Sequence, residues 1–386
     1  MSEDAVNTDA VTNDAVNTDA VTNDAVNTDA VTNDAVNSKD ISIAGVPVGP
    51  GHDPYIIAEM SGNHNGDLGR ALAIVEAAAE AGAHAIKLQT YTADTITIDA
   101  DTPDFRISSG HELWGERRLY DLYQEAHTPW DWHEVIFSRA AELGIAAFSS
   151  PFDPTAVDFL EGLGVPAYKV ASSEIVDLPL IRKVAEQGKP VIISTGMASV
   201  AEIDDAVRAA RSTGNDDIVV LSCTADYPAD PASANLRSIP VLASAFGVLP
   251  GLSDHTMGIG VAVASVAFGA VLVEKHVTLS RADEGVDSAF SLEPHELAAL
   301  VRETAIARQA LGVSRIGAKE SEREGLRFRR SLYVTRDVVA GEKVAPDNVR
   351  SIRPAGGLAP DQFSVVAGRE FRVDAKKGTA LTWDLL

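Results

Sequence analysis

Eight short apolar runs, separated by amphipathic stretches of helical period, occupy the chain from residue 55 to residue 277 and restrict its fold more than any other feature. The runs are YIIAEM (55–60), AHAIKLQ (83–89), AAFSS (146–150), AYKV (167–170), PVIIST (190–195), IVVLSC (218–223), LPGLSD (249–254) and LVEKHV (272–277). Between them lie segments such as LGRALAIVEAAAEAG (68–82), LPLIRKVAEQG (178–188) and VAEIDDAVRAARSTG (200–214). Each of these ends in Gly, which supplies a left-handed C-cap, and Asp67 stands where an N-cap is needed. Continuous apolar strands alternating with helices specify a parallel sheet covered on both faces. Eight such units close into an α/β fold of the TIM (β/α)8 type.

The barrel is expected over residues 41–315, ending with a helix at about 294–311. The stretch 259–273 is almost wholly apolar, yet it is shorter than the ~20 residues of a spanning helix and runs into Glu274 and Lys275. It reads as a buried helix passing into a buried strand, and no membrane is expected. A charged linker (316–327, containing GAKESEREG) follows. Residues 328–386 carry short β-type runs, Gly and Pro, and predict a small β-rich domain. At the other end, residues 5–34 are three copies of AVNTDAVTND. Ala and Val are its only apolar groups, too little area to offset ordering entropy, so residues 1–40 are expected to be disordered.

Charge excludes several partners. The chain holds 56 acidic and 32 basic residues, a formal net charge of -24. A nucleic acid or an anionic membrane is repelled by such a molecule. This acidic, Lys-poor composition reads as an adaptation to high salt, where repulsion between carboxylates is screened. Cys223 is the only cysteine, so an intrachain disulfide is impossible and a reducing compartment is compatible. The N-terminus lacks the basic and apolar regions of a secretory signal, and a cytoplasmic location is expected.

Active sites of TIM barrels lie at the C-terminal ends of the strands, and here every strand ends in polar residues. In order these are Glu59; Lys87 and Gln89; Ser149 and Ser150; Lys169, Ser172 and Glu174; Ser194 and Thr195; Thr224 and Tyr227; Ser253, Asp254 and His255; and His276. Two lysines with several hydroxyls suit a small substrate carrying phosphate and carboxylate, without a Gly-rich phosphate loop. His255 and His276 end adjacent strands and are candidates to share one divalent ion. His64 in SGNHNG is a third candidate ligand or, equally, a polar turn residue.

IAEMSGNHNGD, IKLQTYTADT, FSSPFD, YKVASSE, ISTGMAS, LSDHTMG and VEKHVTLSRADEGVDSAFS together resemble the sialic acid synthase family of phosphoenolpyruvate-condensing TIM barrels. RRSLYVTRDVVAGEKV and SIRPAGGL resemble its antifreeze-like (SAF) domain. The segment LWGERRLYDLYQEAHTPWDWH (113–133) looks like the pseudaminic acid branch. CTADYP, with Ala225 in place of an Asn of the N-acetylneuraminate branch, points the same way.

The resemblance implies attack of C3 of phosphoenolpyruvate on the aldehyde of an open-chain acylamino sugar, with phosphate lost by C–O cleavage. It implies a divalent metal, Mn²⁺ or else Mg²⁺ or Co²⁺, on His255 and His276. Lys87, Ser150, Lys169, Ser172, Ser194 and Ser253 match positions holding phosphoenolpyruvate, and Glu59 matches one handling water or its proton. Gln89, Glu174, Tyr227 and Asp287 match sugar contacts. Arg353 matches an arginine that reaches the barrel of a second subunit, which implies a domain-swapped homodimer. Rival readings are the same reaction giving N-acetylneuraminic or legionaminic acid, a noncatalytic carbohydrate- or ice-binding protein, and a metal-dependent isomerase or aldolase on this fold.

Overall fold

The computed structural model describes residues 39–107 and 115–386, so the acidic repeat lies outside the described residues. The chain divides into two compact units that part between Val313 and Ser314. In the first, a hairpin of β1 (Ile41–Ile43) and β2 (Val46–Val48) precedes a closed barrel of eight parallel strands. The barrel strands are β3 (Tyr55–Glu59), β4 (Ala85–Thr90), β5 (Ala146–Pro151), β6 (Tyr168–Val170), β7 (Val191–Ser194), β8 (Ile218–Cys223), β9 (Leu249–Asp254) and β10 (Leu272–His276). All eight fall on the eight apolar runs, and β10 closes the ring on β3.

The helices begin and end where local chemistry requires. Asp67 caps the helix Leu68–Glu80, its side chain accepting from the Arg70 N–H at 2.7 Å. Ser199 and Glu202 form a reciprocal capping box on the helix Val200–Arg211. The 259–273 stretch is the helix Gly260–Val266 followed by β10, as its composition predicted. Among the described residues no helix is long and apolar enough to cross a membrane.

Alternation along each strand explains the core. Tyr55, Ile57, Ala85, Phe148, Ile192, Leu221 and Leu272 belong to one buried cluster, which also takes in Ile41, Ile43 and Val48 of the hairpin. Residues of the opposite parity, including Ile56, Ala58, Ile86, Leu88 and Val273, pack with helix residues such as Ile74, Val75 and Leu297. Space inside is tight at Gly251, where a Cβ would lie 2.5 Å from Leu221 Cδ2 and 2.6 Å from the Leu272 carbonyl. Only glycine fits there.

The second unit has its own core, built on Leu332, Val334, Val338, Val344, Val349, Val366, Phe371 and Leu381. Its β content is leaner than the sequence suggests. Just β11 (Ser331–Val334) and β12 (Val349–Ile352) pair continuously, antiparallel, while contacts such as Val338 with Ala375 are single bridges. The charged linker contains two short helical turns, Glu320–Glu322 and Arg323–Leu326.

Candidate active site

Strand register brings the polar ends together. Glu59 lies beside both His276 and Lys87, Gln89 beside Ser150, Cys223 beside Ser253, and Ser253 beside Glu274. Because neighbours in register point to the same face, these side chains converge inside the ring. They line a cavity of about 60 Å³ together with Lys169, Ser172, Ser194, Tyr227 and His255.

The floor of this cavity is an ionic cluster. The Lys87 ammonium pairs with Glu59, donates to Ser150 Oγ at 3.3 Å and lies 3.7 Å from Glu274 Oε1. Lys169 Nζ donates to the same Glu274 oxygen at 3.0 Å. Gln89 Nε2 donates to Glu59 Oε1 at 3.0 Å and to Ser61 Oγ at 3.2 Å, and Ser61 donates to Asp287. Neither lysine side chain is more than 3% exposed. Burying such charges is expensive unless they are paired, and a cleft that keeps them is a candidate functional site.

Burial by itself pushes the Lys87 ammonium toward neutrality, but Glu274 and Glu59 outweigh it and hold the charge on. Glu274 is ionised for the converse reason, its burial outweighed by Lys169 and Lys87. For Glu59 burial prevails over Lys87, and its carboxyl is raised above the ordinary range. Ser194 Oγ and Glu274 Oε2 are among the polar atoms buried here without a hydrogen-bond partner. A cavity with two ammonium groups and an unused hydroxyl is built to receive an anion.

Above the cluster stand the two histidines, ring centroids 5.3 Å apart and inclined at 67°. Hydrogen bonding of His255 Nδ1 to the Thr224 carbonyl at 2.8 Å orients that ring, which also bonds the Cys223 side chain. His276 Nδ1 is buried with no hydrogen bond, and burial holds the ring neutral, well below the usual imidazole range. One oriented ring and one neutral ring with an unused nitrogen fit a divalent ion. Among the described residues no set of three or more His, Cys, Asp and Glu forms a full cage. An ion held by these two rings alone would take the rest of its coordination from water and substrate.

A second cavity, of about 430 Å³, adjoins the first: Gln89, Ala171, Ser172, Tyr227 and His276 line both. Glu174 and Asp287 belong to this larger space. Burial raises Glu174 to about 7, and Glu174 Oε2 is buried without a hydrogen bond. Asp287 is likewise raised by burial, despite the Ser61 hydroxyl.

Thirteen of the fourteen residues to which the resemblance gives a role thus border these two cavities. Arg353 is the exception, standing exposed after β12 in the second unit. His64 is not part of the site: its Nε2 meets Thr128 Oγ1 at 3.2 Å and its Nδ1 accepts from Gly66 N–H at 3.1 Å. Ser149 faces outward and bonds Thr90 Oγ1 at 2.6 Å. Glu274 and Cys223 line the first cavity as well, and strand parity marks both. Glu274 lies two residues before His276, and Cys223 has the parity of Leu221.

A model of the NeuB family matches residues 74–315, and one of the SAF domain matches residues 329–386. Pseudaminic acid synthase of Campylobacter jejuni subsp. jejuni serotype O:2 is 42% identical over 327 residues, 85% of this chain and 95% of that protein. Pseudaminic acid synthase of Helicobacter pylori is 40% identical over 333 residues, 86% of this chain and 97% of its own. Among solved structures, N-acetylneuraminic acid (sialic acid) synthetase from Leptospira borgpetersenii serovar Hardjo-bovis superposes with a TM-score of 0.67 at 32% identity. That match covers 75% of this chain and 95% of the other.

Proposed function

The chain belongs to the NeuB family, and from that premise we propose that it condenses phosphoenolpyruvate with 2,4-diacetamido-2,4,6-trideoxy-altrose to give pseudaminic acid and phosphate. The observation that carries this reading is the pair of buried lysines, gathered from β4 and β6 onto one carboxylate beneath two converging imidazoles. That arrangement matches an anionic donor below and a carbonyl acceptor above.

In this mechanism Lys87 and Lys169 hold the phosphate and carboxylate of phosphoenolpyruvate, with hydroxyls from Ser150, Ser172, Ser194 and Ser253 completing the cradle. His255 and His276 hold a divalent ion, Mn²⁺ or else Mg²⁺ or Co²⁺, which when bound supplies Lewis-acid polarisation of the sugar aldehyde. Gln89, Glu174, Tyr227 and Asp287 orient the open-chain sugar so that its C1 meets C3 of the enolpyruvyl group. As that bond forms, C2 becomes electron-poor and takes up water, and Glu59 handles this water or its proton. Loss of phosphate by cleavage of the C2–O bond leaves the keto acid. The two protons of the water end on the former aldehyde oxygen and on the departing phosphate.

Arg353 completes the sugar site from a second copy of the chain, in a domain-swapped homodimer, and the enzyme works in the cytoplasm. The deciding experiment incubates the chain with phosphoenolpyruvate, Mn²⁺ and a panel of acylamino sugars, recording phosphate release and product mass. Release with the diacetamido sugar and a product of the mass of pseudaminic acid is expected. Turnover with N-acetylmannosamine alone, or no phosphate release with any sugar, overturns the reading.

A further inference from the structure

The helix Leu119–Ala126 carries Leu119, Leu122, Tyr123 and Ala126 on one face, at the i, i+3, i+4 and i+7 positions of a helical stripe. Three of its other residues find polar partners elsewhere. Asp121 pairs with Arg118, Glu125 with Arg117, and the Tyr120 hydroxyl donates to Asp94 at 3.1 Å. An apolar stripe of this kind ordinarily buries itself against a core. Here all four of its members line the 430 Å³ cavity.

The stripe is held in place by neighbours, two of which line the same cavity. Tyr123 packs edge-on against Tyr91 (centroids 5.7 Å, 78°), and Tyr91 edge-on against Phe152 (5.2 Å, 76°). Ala126 sits on Gly62, where a Cβ would come within 3.3 Å of it. At the rim Met197 is 75% exposed and adopts a left-handed backbone, φ +67°. Such a conformation costs a residue with a Cβ roughly 1 kcal/mol, which glycine would avoid. A thioether 75% exposed and kept at a strained position, over a cavity it lines, packs little against the described residues.

We propose that this wall of Leu119, Leu122, Tyr123 and Phe152, with Met197 at its rim, selects the sugar by its methyl-bearing end: the deoxygenated C6 and the acyl methyl beside it. The inference rests on the condensation reading and names which part of the substrate the larger cavity takes. Continuity fixes the direction. The cavity opens from the reaction pocket at Gln89, Ser172, Tyr227 and His276, so a sugar with its aldehyde at the histidines extends its far end toward the stripe. A methyl group there replaces water on apolar surface, whereas a hydroxyl there loses its hydration and meets carbon.

The test compares kcat/KM, by phosphate release, for the 2,4-diacetamido-2,4,6-trideoxy sugar and for the same sugar bearing a hydroxyl at C6. The unmodified chain is expected to favour the deoxy sugar by about 10- to 100-fold, the range an apolar pocket achieves against an added hydroxyl. Leu119→Asn should narrow that ratio to a few-fold. Met197→Gly, which relieves the strained backbone, should hold or raise the thermal midpoint while lowering kcat/KM for the deoxy sugar. A merely structural methionine would show neither combination. Equal use of the two sugars by the unmodified chain, or a ratio untouched by both substitutions, overturns the proposal. If no phosphate is released with either sugar, the condensation reading falls instead, and calorimetric binding of the two sugars then judges the wall, with equal affinities overturning it.

Discussion

The lower and upper halves of the barrel interior are made by the same strands at the same parity, yet they are chemically opposite. Ile57 precedes Glu59, Ala85 precedes Lys87, Phe148 precedes Ser150, Ile192 precedes Ser194, and Leu272 precedes Glu274 and His276. The first member of each pair is buried in the apolar cluster closed from below by the hairpin, and the second faces the reaction pocket. Two residues along a strand, roughly 6.6 Å, separate a layer chosen for packing from a layer chosen for charge. The lower layer carries stability, and the upper layer spends some of that stability on chemistry.

Substitution can break this division. The largest effect is expected from His276→Ala, which should lower kcat by at least about 10³-fold while leaving the urea midpoint nearly unchanged. A chelator should reproduce the loss in the unmodified chain, reversed by Mn²⁺, and turnover that survives chelation would remove the metal from the upper layer. Phe148→Ala, in the lower layer, should do the converse. It should cost about 3–5 kcal/mol in urea unfolding, with kcat per folded molecule unaltered. A smaller effect, about tenfold in sugar KM, is expected of Arg353→Ala, and unchanged kinetics would contradict the swapped-domain role.

The smallest effect concerns Glu174 and sharpens the comparison by pH. Burial raises its carboxyl to about 7, so the folded chain binds a proton that the unfolded chain gives up near the ordinary carboxylate value. That contribution to stability is complete below the ordinary value and is lost as pH rises through about 7. Glu174→Gln should therefore match the unmodified chain at pH 4 and exceed it above pH 7, by on the order of 1 kcal/mol after allowing for solvent at the cavity mouth. Identical stability profiles would show that the carboxyl is not destabilised by its site.

Most of this architecture is legible in the sequence because continuous apolar runs and helix punctuation are local signals. Eight runs of apolar residues bounded by caps leave a closed ring as the natural solution. The hairpin at Ile41–Val48 escapes notice because three-residue strands carry too little pattern. Within the site, parity separates Lys87 and Lys169 from Lys275, which has the opposite parity to His276 and instead donates to Asp254 at 3.0 Å. Glu274 is hidden in the sequence because a carboxylate closing an apolar run resembles the run's polar boundary, and only the register with Ser253 and the meeting with two lysines give it meaning. The stripe at Leu119 is harder still. An amphipathic helix looks the same whether its apolar face meets a core or a ligand.

The ring closes by pairing Tyr55 with Leu272, residues at nearly opposite ends of the synthase unit. A ribosome must therefore deliver β10 before β3 can acquire its second neighbour, and an unfinished sheet waits with both edges open. Glu274 arrives on that final strand, so Lys169 meets its carboxylate last, whereas Lys87 already has Glu59 on β3. Desolvation of the Lys169–Glu274 pair is thereby postponed to the moment when the barrel can enclose it.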